Sequence, residues 1–207
     1  MLGEELRPGL GTWTAHHDEW GQDVRGFAIV EDERLILVDP LLVGGQWDEL
    51  AATRGERALD VLATIHYHVR SGGEVRERHP DARIWAFQGD RDEIAERAPV
   101  DRAFAIGEAL PGGLVAIGPL PREEVVFWDA ARAALFAGDV LLGDGVEGDG
   151  LGLCPEPWLD GASLDTLRAG LAPVLELPVE LVLTAHGAPT VTGGHAALAA
   201  ALAALEG

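Results

Sequence analysis

Apolar residues come in short runs separated by polar turns, and the runs alternate between two periods. Gly26–Val30 and Arg34–Asp39 are rich in β-branched and apolar residues, with Glu31-Asp32-Glu33 between them, which predicts two strands of a hairpin. Asp39-Pro40 ends the second strand. Helix is predicted over Gln46–Arg57, and a buried strand over Ala58–Ile65. Glu74–His79 continues as a helix stopped by Pro80, Arg83–Phe87 as a strand and Gly89–Arg97 as a short charged helix. Beyond Val100, Gly113–Ile117, Glu124–Trp128 and Ala133–Phe136 alternate as strands. Gly143–Pro157 is a Gly- and Asp-rich loop, a length that is usually functional or mobile. Leu164, Leu167, Leu171 and Leu175 place an amphipathic helix over Gly161–Leu175. A strand at Glu180–Leu183 and an Ala/Leu helix at Gly194–Leu205 follow.

Strands and helices thus alternate in two successive halves, about 1–99 and 100–207, which predicts one layered α/β domain. A chain of 207 residues can bury one sizeable core. No apolar run reaches the roughly 18 residues of a membrane span. The acidic start, Met1–Arg7, lacks the apolar stretch of a secretory signal, so the cytoplasm is the expected location.

Charge narrows the partners. The formal net charge is −20, and all fifteen basic residues are arginine. Such a field repels phosphate backbones and anionic lipid, so a small molecule is expected rather than nucleic acid or membrane. Without lysine, Schiff-base chemistry and the Walker-A loop are excluded. The one cysteine, Cys154, forms no intrachain disulfide and is expected as a packed residue. Neither serine lies in a G-x-S-x-G turn. Trp-rich and Ala/Leu-rich faces would suit a homodimer.

Candidate chemistry gathers where apolar strands end. Asp39, His66, His68, Asp139 and His186 each follow such a strand, and α/β proteins bind ligands at the carboxyl ends of strands. On an extended segment His66 and His68 would point to the same side. Two imidazoles there suit Zn, Fe or Mn, or else two histidines satisfied by hydrogen bonds at a strand edge. Tyr67 would then face the core. Among the tryptophans, Trp13, Trp20, Trp47 and Trp158 are candidate pocket walls, Trp158 foremost because it follows the long loop. His16-His17-Asp18-Glu19 is expected as a solvated loop, from which a histidine would reach the site only by replacing a ligand. The acidic stretch Asp144–Asp149 is expected as a lid or a solvated loop.

These residues carry a resemblance to the metallo-β-lactamase superfamily over nearly the whole chain. The family motif T-H-x-H-x-D-H-x-G-G follows a buried strand, and here the stretch is Thr64-Ile65-His66-Tyr67-His68-Val69-Arg70-Ser71-Gly72-Gly73. Val38-Asp39-Pro40 matches the family's upstream Asp-Pro. Gly118-Pro119-Leu120-Pro121, Leu135-Phe136-Ala137-Gly138-Asp139 and Ala185-His186-Gly187 are similar to its G-H-T-P, LFTGD and GHG segments.

The resemblance implies a four-layer αβ/βα sandwich with the site at the sheet edges. It makes His66 and His68 ligands of a first metal, Asp139 a bridging carboxylate and His186 a ligand of a second. It puts Arg70, Ser71 and Pro119 where further ligands stood. Asp39 would support the site by hydrogen bonding. A guanidinium cannot coordinate a cation, and two unit charges about 4 Å apart cost roughly 4 kcal/mol at an effective dielectric near 20, so a dinuclear site is not expected. Arg70, with Ser71 and Trp158, would instead meet the substrate.

Two outcomes stay open. One Zn, Fe or Mn ion held by the remaining ligands would make a hydrolase of an ester, thioester, lactone or phosphoester. An Arg70–Asp139 ion pair without metal would make a pseudoenzyme that binds a small molecule or serves an assembly.

Overall fold

The computed structural model describes residues 1–146 and 148–204. Its first half is a mixed sheet of seven strands in chain order: β1 (Glu4–Arg7), β2 (Leu10–His17), β3 (Gln22–Val30), β4 (Arg34–Val38), β5 (Ala58–Leu62), β6 (Arg83–Phe87) and β7 (Arg102–Phe104). Pairing is antiparallel from β1 to β4 and parallel from β4 to β7. The parallel connections carry α1 (Gln46–Arg54), α2 (Gly72–Arg78) and α3 (Arg91–Ala95). The second sheet holds β8 (Val115–Ile117), β9 (Val126–Asp129), β10 (Ala134–Ala137) and β13 (Leu181–Thr184), with β13 at one edge, parallel to β10. A small ribbon pairs β11 (Leu141–Leu142) with β12 (Gly152–Leu153). Helices α4 (Leu164–Leu171) and α5 (Gly194–Ala203) belong to this half.

The period of two decides the layering. Ile36 and Val38 face inward with Phe27, Phe127, Phe136 and Leu183, so the two sheets pack face to face. Leu35 and Leu37 face the other way, under Leu50, Val75 and Ile94 of the first helices. In β10, Phe136 faces the sheet interface while Leu135 and Ala137 meet Leu167, Leu171 and Leu198 of α4 and α5. The order is helices, sheet, sheet, helices: the expected four-layer sandwich.

Several expected elements change. The N-terminal hairpin β1–β2 was not anticipated. The stretch from His16 is not a loop before the first strand, because His16 and His17 end β2 and pair in register with β3. The helix predicted over Gly161–Leu175 stops at Leu171, since Pro173 has no N–H to continue the ladder and a 3₁₀ turn follows over Ala172–Glu176. Its start is sharp, as the Ser163 hydroxyl accepts from Thr166 N–H. The 143–157 loop is not structureless, because β12 pairs within it; Glu147 of the acidic stretch and the expected helix end at Leu205 lie outside the described residues. Among the described residues, no helix is long and apolar enough to cross a membrane.

Candidate metal centre

Five strand ends build one site. Asp39 follows β4, Thr64 and His68 follow β5, Asp90 follows β6, Asp139 follows β10, and His186 follows β13. Parallel pairing of β4–β5–β6 and of β10–β13 brings these carboxyl ends to one edge of the sandwich.

His68 is fully buried, and its Nδ1 lies 3.1 Å from both Asp39 Oδ2 and Thr64 Oγ1. The Thr64 hydroxyl already donates to Asp39 Oδ2 at 2.8 Å. Its oxygen therefore offers Nδ1 no proton, and Nδ1–H must be the donor. Asp39 also accepts from Thr64 N–H at 2.8 Å, which fixes the carboxylate in place. Its backbone sits at φ 52°, a left-handed turn that Asp tolerates better than most residues. Nε2 of His68 is thereby turned away from Asp39, toward Asp139.

The other face of the site is Asp139. Its Oδ1 lies 3.0 Å from His68 Nε2 and 3.1 Å from His186 Nε2. One ligand atom from each of His68, Asp139 and His186 falls within 4.8 Å of the other two, and all three residues are buried. The second oxygen, Oδ2, accepts from Arg122 Nη2 at 3.0 Å. Arg122 also donates to the fully buried Glu124 at 3.2 Å. Burial alone would raise the Asp139 pKa; the charges and hydrogen bonds of His68 and His186 outweigh it and hold the carboxyl well below its ordinary value. Burial and the Arg70 charge pull His68 down, but Asp139 and Asp39 carry it up to about 9. Glu124 is pushed up to about 8, by burial first and then by Asp139.

His66 takes a different place. Residues His66–Val69 form a 3₁₀ turn and not an extended segment, so the expectation that both imidazoles share one side is corrected. His66 lines the cleft, but its Nδ1 lies 2.6 Å from Asp90 Oδ1, its N–H also donates to Asp90, and it stands outside the three-residue group. Tyr67 does not face the core; it is 39% exposed and lines the same cleft.

The register of the motif also needs correcting. Thr64 and Gly72-Gly73 both match without a gap, so the ungapped ligand positions fall on Ile65, Tyr67, Val69 and Arg70. Ile65 and Val69 are buried apolar residues. His68 enters the centre from the position beside a family ligand.

Arg70 and Ser71 likewise depart from expectation. Arg70 is buried, yet its Nη1 donates to the Arg25 and Asp39 carbonyls at 3.0 and 2.9 Å, and Asp139 is paired by Arg122 instead. Burial lowers the Arg70 pKa, with Asp39 and Asp139 opposing. Ser71 is 4% exposed, and its hydroxyl accepts from Leu42 N–H, joining loop to helix away from the cleft. His17 stacks on Trp20 at 4.1 Å and His16 contacts Asp23 at 2.8 Å; neither lines the cleft.

The cleft above the centre has a volume of about 810 Å³. Asp139, His186 and Arg122 form part of its floor, and Trp20, Tyr67 and Trp158 its walls. Trp158 meets His186 edge to face at 6.2 Å. Trp13 is instead in the core and Trp47 packs against it. Arg122, Glu124 and Asp90 escaped sequence reasoning. Asp90 carried a usable signal, since it stands just beyond a strand end as Asp39 and Asp139 do.

No family model and no curated protein matches the sequence. Solved structures do match. DIM-1 metallo-β-lactamase superposes with a TM-score of 0.73 at 15% identity, covering 96% of each chain. The metallo-β-lactamase from Pontibacter korlensis gives 0.72 at 16% identity, covering 97% of this chain and 98% of that one. FIM-1 from Pseudomonas aeruginosa, in its mono-zinc form, gives 0.69 at 17% identity over 95% and 91%. At these identities the likeness speaks for architecture, and with the layer order and the strand-end site it establishes that this chain has the metallo-β-lactamase fold.

Proposed function

We propose that the chain is a mononuclear metal-dependent hydrolase whose ion is held by His68, Asp139 and His186. One observation carries this reading: two imidazole Nε2 atoms converge on a single carboxylate oxygen, at 3.0 and 3.1 Å. His68 Nδ1 keeps the proton, so a neutral His68 turns a lone pair toward that oxygen. Lone pair against lone pair is repulsive, and the gap calls for a cation, either a proton or a metal ion. Two imidazoles and a carboxylate are a donor set that suits Zn or Fe. Ligand-bearing histidines are typically fixed by a carboxylate at the other ring nitrogen, as Asp39 does here.

When bound, a Zn, Fe or Mn ion supplies a Lewis acid that lowers the pKa of coordinated water toward about 7. The protein's own residues do the rest. Asp39 and Thr64 hold the His68 ring in one orientation. Arg122 occupies the second oxygen of Asp139, leaving Oδ1 to the ion. Arg70 holds a fixed positive charge behind the centre. Trp158 walls the cleft beside His186 and keeps a substrate over the floor. Substrates would be esters, thioesters, lactones or phosphoesters. That FIM-1, a protein of this fold, is described in a mono-zinc form supports a one-ion centre.

A metal-free binding protein is the second reading, favoured by the Arg122–Asp139 ion pair. In that state a proton on His68 takes the place of an ion, between Asp39 and Asp139. Metal analysis decides between them. The hydrolase reading expects about one ion per chain after dialysis from excess zinc, lost in His68→Ala, together with hydrolysis in an ester and thioester panel. Finding no bound ion after excess Zn, Fe or Mn would overturn it and leave the binding protein.

A further inference from the structure

The cleft carries more charge chemistry than the metal centre uses. Its inner carboxylates are paired, Asp139 with Arg122 and Asp90 with His66. Its outer ones are not. Glu93, Glu123 and Asp160 line the cleft, are exposed, and form no ion pair among the described residues. Trp20, Tyr67 and Trp158 line the same cleft, and the first two are 37% and 39% exposed. Trp20 and Tyr67 meet edge to face at 6.1 Å. Arg122, the one arginine in the lining among the described residues, already serves Glu124 and Asp139. Arg97 stands over the Tyr67 ring at 5.4 Å without lining the cleft, so that face already carries a cation and Tyr67 offers the cleft the rest of its ring.

Aromatic faces and carboxylates are the two groups that attract an organic cation, the first through the ring quadrupole and the second by charge. An anion meets the opposite. It must pass three unpaired carboxylates on a protein of net charge −20. A low-dielectric cleft lined by one sign of charge concentrates the field.

We infer that the cleft receives a small organic cation, so that the substrate is an ester or thioester bearing an ammonium group. The ammonium sits at the mouth, among Trp20, Tyr67, Trp158 and the outer carboxylates, and the acyl group reaches the floor at Asp139 and His186. The ester clause rests on the hydrolase reading above; the cation preference does not.

Calorimetry on the whole chain, as purified and after chelation, tests the preference with three single-ring probes of different charge. These are benzyltrimethylammonium, benzyl alcohol and benzoate. The ammonium should bind at least tenfold more tightly than benzoate. Glu123→Gln with Asp160→Asn should weaken it about fivefold or more and leave benzyl alcohol unchanged, since both carboxylates are exposed and the fold does not depend on them. Trp20→Ala should also weaken the ammonium about fivefold. Raising salt to 1 M should reduce the preference, as the screening length falls to about 3 Å. Benzoate binding as tightly as the ammonium, or a doubly neutralised variant that binds the ammonium unchanged, overturns the inference. Cation binding without hydrolysis of any ammonium ester or thioester overturns the ester clause alone; the hydrolase reading fails separately, on the absence of a bound ion after excess metal.

Discussion

Arg122 donates from Nη2 to Oδ2 of Asp139 at 3.0 Å, on the carboxylate oxygen that faces away from the two imidazoles. It stands on a tight turn in which Arg122 and Glu123 both adopt positive φ, at 65° and 58°. The turn therefore spends backbone strain to place a cation beside the centre. Replacing it acts on stability and on metal in opposite directions. Arg122→Leu removes the ion pair to Asp139 and a hydrogen bond to the protonated, buried Glu124, while His68 and His186 still face Asp139, and should cost about 1–3 kcal/mol in urea unfolding of the metal-free chain. The same change removes a positive charge close to the proposed ion. Zinc affinity should rise at least tenfold in a competitive titration. A fall in affinity would mean that Arg122 serves mainly to orient Asp139.

Histidine substitutions separate the motif's two imidazoles. His68→Ala should abolish metal retention. His66→Ala should retain near one ion per chain, because His66 is bound to Asp90 and stands outside the donor group. Metal content by elemental analysis reads both.

Asp39 should matter more than its distance from the cleft indicates. It holds Thr64 through two hydrogen bonds and fixes the tautomer of His68. Asp39→Ala should lower zinc affinity about 10–100-fold. It should also destabilise by roughly 2–4 kcal/mol, from lost buried hydrogen bonds and a left-handed φ that alanine disfavours. Asp39→Asn keeps the backbone preference, so it should recover part of the stability and little of the affinity.

Stability of the metal-free chain should fall as pH rises from about 4.5 to 9. Glu124, raised to about 8, and His68, raised to about 9, each hold a proton in the folded state that the unfolded chain has released. Their contributions are complete below the unfolded values, and are lost as pH climbs through the folded ones. Asp139 acts oppositely at the acid end, where its depressed pKa makes stability fall as pH drops below about 4. Melting temperatures across pH 3–10 read both limbs. A stoichiometric metal should flatten the alkaline limb, since it replaces the proton on His68.

Cys154 is fully buried, and its thiol is pushed up to about 12, by burial first and then by Glu124. Iodoacetamide at pH 8 should leave the native chain unmodified and alkylate it fully in denaturant. Mass spectrometry of the two samples gives the answer. Rapid modification of the native chain would mean that the β11–β12 ribbon opens readily.

Much of the fold was legible because it is written in local periods. Leu35 to Val38 read as a strand from their unbroken apolar run, and once extended they must alternate between the two cores. Strand ends were legible for the same reason, so Asp39, His68, Asp139 and His186 could be named. The N-terminal hairpin was missed because Leu10–His17 mixes exposed and buried residues without a clear period. The α4 helix was drawn too long because the leucine spacing persists through Pro173, while the backbone ladder does not.

By itself, then, the sequence determined the alternation of strands and helices and the set of polar groups that strand ends can deliver, and the four layers only through the family resemblance. Which of those groups meet was decided only by tertiary structure. A 3₁₀ turn is tighter than a strand, and it turns His66 toward Asp90 while sending His68 between Asp39 and Asp139. The partner of Asp139 is Arg122, seventeen residues before it in the chain, and not Arg70, because Arg70 is held by the Arg25 and Asp39 carbonyls. Contacts between distant segments depend on how two sheets stack and where each loop leaves its strand, and no local pattern encodes that.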